Sequence, residues 1–126
     1  MHHATPPHGG TPVALGDDYR LELVRDAAAG TLSAYVLDDD MEEFIRCPAP
    51  AITLTARVGG EDRSIVLRAV PNPATGETVG NTSCFEGQAD WVRTADHFAG
   101  TLQSLTIRGT PFTGVAFPFP QGNAAD

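Results

Sequence analysis

The segment Ala51-Ile52-Thr53-Leu54-Thr55-Ala56-Arg57-Val58-Gly59-Gly60-Glu61-Asp62-Arg63-Ser64-Ile65-Val66-Leu67-Arg68-Ala69 decides the fold class. Ile52, Leu54, Ala56 and Val58 alternate with Thr53, Thr55 and Arg57, so one set faces a core and the other water. Ile65, Leu67 and Ala69 repeat the pattern against Ser64 and Arg68. Between the two runs, Gly59-Gly60-Glu61-Asp62 is a hairpin signal, because paired glycines supply the backbone conformations that tight hairpin turns need.

The same period of two extends in both directions. Upstream, Tyr19, Leu21 and Leu23 alternate with Arg20 and Glu22, and Leu32, Ala34 and Val36 follow the turn Asp26-Ala27-Ala28-Ala29-Gly30. Downstream, Cys84 to Gln88, Leu102 to Arg108 and Phe112 to Phe119 read as strands, the last with Val115, Phe117 and Phe119 on one face. Leu102 is out of phase with Leu105 and Ile107, which predicts a bulge or a late strand start. Trp91, Ala95 and Phe98 follow helical spacing, so one short helix is expected within 90–98. The expectation is therefore all-β: a two-sheet antiparallel β-sandwich of seven to eight strands. It would be Ig-like in architecture but not antibody-type, since Trp91 lies after both cysteines. Residues 1–10, rich in Pro and Gly, read as a flexible arm, 11–120 as one domain and 121–126 as a tail.

Composition narrows the function. The 126 residues carry a net charge of −8, and all eight basic residues are Arg. That argues against nucleic acid, which needs clustered positive charge, and against anionic membrane surfaces. No apolar run reaches the ~20 residues of a membrane helix, so membrane insertion is not expected. The opening Met1-His2-His3-Ala4-Thr5-Pro6-Pro7 reads as a mature terminus or a trimmed edge, with any leader already removed. No glycine-rich phosphate loop, G-x-S-x-G, H-E-x-x-H or C-x-x-C occurs, and the expectation is a protein that is not an enzyme. Cys84, Asp90, Asp96 and His97 contain the ingredients of a thiol nucleophile with a base, but nothing in their spacing fixes a geometry.

His8-Gly9-Gly10, the strand Asp18-Tyr19-Arg20-Leu21-Glu22-Leu23-Val24 and the run Ala34-Tyr35-Val36-Leu37-Asp38 resemble small exported bacterial β-domain proteins whose mature chain opens with His-Gly-Gly. Some of these accompany heavy-metal efflux systems. The likeness covers about the first third of the chain, and implies a periplasmic or otherwise exported location. Many of those proteins place a His in the acidic turn after the third strand, where this chain has Asp38-Asp39-Asp40.

Two non-enzymatic functions compete. The first is binding of copper, nickel or zinc through His2, His3 and His8, since imidazole suits these ions. A free amine at Met1, two deprotonated amides and His3 would give Cu(II) or Ni(II) a square-planar set. The second is an accessory domain that meets another exported protein and takes no ligand. The run Asp38-Asp39-Asp40-Met41-Glu42-Glu43 lacks the spaced oxygens and glycine of a calcium loop and reads as a solvated turn. A bridge between Cys47 and Cys84 would close a loop of about 37 residues, worth about 4 kcal/mol. Their apolar neighbours Phe44, Ile45 and Phe85 point instead to two free, buried thiols.

Overall fold

The computed structural model describes residues 6–123, all of it strand, turn and two short 3-10 turns. Eight strands run β1 (Thr11–Leu15), β2 (Tyr19–Asp26), β3 (Thr31–Asp38), β4 (Ala51–Val58), β5 (Glu61–Ala69), β6 (Cys84–Gln88), β7 (Phe98–Ile107) and β8 (Thr110–Phe119). They form an antiparallel sheet in the order β1-β2-β3-β6-β5-β4-β7-β8. Its halves, β1-β2-β3-β6 and β5-β4-β7-β8, are joined by the pairs Arg68↔Glu86 and Ala69↔Phe85. The two layers expected from the alternation are these halves, and the sheet they share is coiled almost into a closed barrel. Alternation along a strand tells which side chains face inward but not which strands share a ladder.

The closing seam lies between β1 and β8. The Thr11 hydroxyl donates to the Pro120 carbonyl at 2.9 Å. The Asn123 side-chain amide spans the gap: its Oδ1 accepts the Ala14 N–H at 2.7 Å, and its Nδ2 donates to the Ala116 carbonyl at 3.0 Å. Residue 123, expected in an unattached tail, thus satisfies backbone groups that an open sheet edge would leave bare.

The β4–β5 loop is Gly59-Gly60 alone, both with positive φ (57° and 83°), as a two-residue hairpin turn of this kind requires. The inward set of each strand forms one core, with Leu21, Leu23, Val36, Leu54, Leu67, Phe85 and Leu102 at or near zero exposure. Phe98 stacks on Phe119 at 4.6 Å and meets Phe117 at 6.4 Å, so these rings fill the interior.

The structure adds β1, which the sequence reading placed between the arm and the first strand. Pro12 masks its period, as proline does in edge strands. The phase change at Leu102 needs no inserted residue. β7 and β8 keep one register from Phe98↔Phe119 to Ile107↔Thr110, and both strands switch faces together around Gln103 and Gly114. The helical segment is a four-residue 3-10 turn, Asp90–Arg93, burying Val92, while Trp91 sits edge-on to Phe98 at 5.5 Å. A second such turn, Pro73–Thr75, was not expected; Asn72 caps it by accepting the Ala74 N–H.

Candidate functional site

The site is built on the outward face of β2, β3 and β6. The register Glu22↔Tyr35 and Tyr35↔Cys84 places these side chains in one row across the strands. Their inward neighbours are Leu21, Leu23, Ala34, Val36 and Phe85. Alternation alone would leave Glu22 in water, yet it is fully buried, because the N-terminal arm folds over it. Glu22 Oε2 accepts the backbone N–H of His8 at 2.8 Å and of Gly10 at 2.9 Å, and Oε1 lies 2.7 Å from His8 Nδ1. A carboxylate can only accept, so in the neutral imidazole Nδ1 carries the proton and Nε2 keeps its lone pair. His8 lies flat on Tyr35, with centroids 4.0 Å apart and planes 17° apart.

The expected flexible arm is therefore held by its second half. Gly10 permits this: a Cβ there would strike the Leu23 carbonyl oxygen and come within 2.9 Å of Glu22 Cγ. His8-Gly9-Gly10 thus has a structural reading, as ring, turn and close approach. Of the expected metal ligands, His2 and His3 lie outside the described residues.

Beside His8 opens a cleft of about 380 Å³ lined by Tyr35, Phe44, Arg46, Asn72, Thr75, Glu77, Ser83 and Cys84. Burial pushes the Cys84 thiol up from its ordinary value, and Glu86 and Glu77 add to this against the hydrogen bond from Tyr35. Burial likewise raises the Tyr35 phenol, helped by Cys84 and Glu22. Both are neutral at pH 7. Cys47 is in the core, where burial takes its thiol to about 11. The two cysteines are unbridged. Cys84 is only half-buried, because it falls on the outward row rather than with Phe85 in the core.

On the far wall, burial alone would raise Glu77, but the Thr82 hydroxyl, the Asn72 N–H, the Ser83 hydroxyl and Arg46 outweigh it and hold the carboxyl below its ordinary value. Thr82 donates at 2.6 Å, Ser83 at 3.0 Å and Asn72 at 3.1 Å. A depressed carboxyl contributes stability that is present above its unfolded value of 4.5 and lost as pH falls through its folded value. Glu77→Gln should therefore cost stability at pH about 7 and flatten the acid decline below pH about 4.5, read as urea midpoints across that range. Parallel curves for the two proteins would refute this role.

The acidic run is an ordered turn. Asp38 Oδ1 accepts the Glu42 N–H at 2.9 Å and the Glu43 N–H at 3.3 Å, and the Asp38 N–H donates to the Glu43 carbonyl at 3.0 Å. This turn delivers Phe44 to the cleft rim, where it meets His8 at 6.1 Å and Tyr35 at 6.2 Å.

A second groove, of about 500 Å³, shares only His8 with the first and is lined by Gly10, Leu23, Arg25, Asp96 and His97, among others. His97 Nδ1 lies 3.2 Å from Asp96 Oδ1. The structure thus separates Cys84 from His97, which the sequence reading had weighed together, and puts His97 in one groove with His8. Among the described residues, no three His, Cys, Asp or Glu side chains converge as a metal-holding group. Sequence reasoning missed Glu22, Tyr35, Phe44, Arg46 and Glu77. Glu22, the fourth residue of β2, gave no local signal, since alternation assigns it to water.

No protein family, curated protein or solved structure matches the chain.

Proposed function

We propose that this is an exported, non-enzymatic domain that holds one transition-metal ion at its N-terminal arm, with His8 Nε2 as the anchoring ligand. The observation that carries this reading is the buried Glu22 carboxylate on His8 Nδ1 at 2.7 Å. Metal-ligating histidines characteristically donate their other ring N–H to a carboxylate, which fixes tautomer and ring orientation. His97, paired through Nδ1 with Asp96, lines one groove with His8. His2 and His3, a few residues upstream on the arm, are the further ligands of this reading. Copper, nickel and zinc are the ions that imidazole suits. The raised Cys84 thiol argues against this cysteine as a nucleophile, since the thiolate is the reactive form. The exported location rests on the resemblance of the first third of the chain.

Titration of metal-free protein with Cu(II), Ni(II) and Zn(II) tests the reading. Binding should be micromolar or tighter, weaken with His3→Ala and His8→Ala, and fall about 10- to 100-fold with Glu22→Gln. It should also fade at acidic pH as imidazole ligands take up protons. Binding that survives removal of residues 1–8 would contradict the arm as the site. No binding to any of the three ions would leave the accessory-domain reading in its place.

A further inference from the structure

We propose that the cleft between Phe44 and Arg46 is a binding site for a small planar aromatic carboxylate, with the ring on Phe44 and the carboxylate on the Arg46 guanidinium. It rests on Phe44 and Arg46, which the metal reading does not use, although His8 lines the same cleft. The cleft's volume of about 380 Å³ falls in the range of small-molecule sites, roughly 300–1,000 Å³.

Phe44 is the first observation. Phe85, Phe98, Phe117 and Phe119 are buried, and Phe112 is half-buried, but Phe44 is 48% exposed. Its place is fixed rather than frayed, by the Asp38 turn and the backbone bridge Leu37↔Phe44. The second observation is phase. Residues 44–47 alternate exposed, buried, exposed, buried, with Ile45 and Cys47 inward. Phe44 and Arg46 thus share the outward side, two residues apart on extended chain, about 6–7 Å. Both side chains line the cleft, so one ligand there can meet the ring and the guanidinium together.

Charge selects the polar end. Arg46 lines the cleft and donates one Nη to the Thr75 carbonyl. Glu77, which Arg46 helps hold ionised, directs its hydrogen bonds to Thr82, Ser83 and Asn72 and none to the guanidinium. Tyr35 and Cys84 are neutral. Among the described lining residues, Arg46 is the permanent cation, and a guanidinium matches a carboxylate in shape as well as sign.

The probe is naphthalene-2-carboxylate, with 2-naphthamide as its uncharged counterpart, in buffer containing a chelator so that metal at His8 makes no contribution. Equilibrium dialysis should show saturable binding of the carboxylate, weakened about tenfold or more by Phe44→Ala, by Arg46→Gln and by the change to amide. Arg46 also bonds the Thr75 carbonyl and Phe44 meets Tyr35, so the melting temperature of each variant is measured and binding is compared well below it. Absence of saturable binding, equal binding of the amide, or indifference to both substitutions would overturn the proposal. Metal titration of the same variants stays unchanged if the two sites are independent, so either reading can fail without the other.

Discussion

Glu22→Ala should destabilise the domain by about 2–3 kcal/mol and lower the melting temperature by about 10 °C, a large effect for an outward-facing strand position. Three contacts end together: the N–H groups of His8 and Gly10 and the His8 ring nitrogen all lose their acceptor. The arm then keeps its ring contacts of His8 with Tyr35 and Phe44 but loses its hydrogen bonds to the Glu22 carboxylate. Denaturant unfolding of the two proteins checks this, and a loss under about 0.5 kcal/mol, as at an ordinary surface site, would show that the arm is not clamped.

Phe85→Ala should cost about 4 kcal/mol, the middle of the range for a buried aromatic ring. Phe85 is fully buried, and its register partners on the flanking strands are Ala34 and Ala69. Neither alanine can expand into the space, so the cavity stays open. The loss also falls on the junction of the two half-sheets, where two residue pairs join β5 to β6. A cost below about 2 kcal/mol would mean that the core collapses around the deletion, and that β6 is not the tie between the halves.

The contrast between these positions shows what the sequence made legible. Phe85 sits in a run whose alternation declares its face, and Ile52 to Ala69 announces a hairpin through Gly59-Gly60. Such features depend on neighbours in the chain. Glu22 declares nothing, because alternation assigns it to water, and only an arm 12–14 residues upstream removes it from water. Phe44 and Arg46 lie outside any strand, and their meeting with Tyr35 on β3 and with the Glu77 loop is an approach that local pattern does not encode. His8 was legible as a candidate from its chemistry; that its Nδ1 is committed and its Nε2 left over was not. The strand set was readable for the same reason that its closure was not: burial is written along a strand, whereas Asn123 closing β1 onto β8 is a contact across 109 residues.

The central claim is that Glu22 fixes His8 as a metal ligand through Nε2. A long-range ¹H–¹⁵N correlation spectrum of the histidine rings, recorded at pH about 7.5 before and after addition of Zn(II), tests it most directly. The account predicts that His8 shows a protonated Nδ1 and an unprotonated Nε2, and that Zn(II) shifts Nε2 while Nδ1 keeps its proton. A protonated Nε2, or an Nε2 signal that Zn(II) leaves in place, would contradict it.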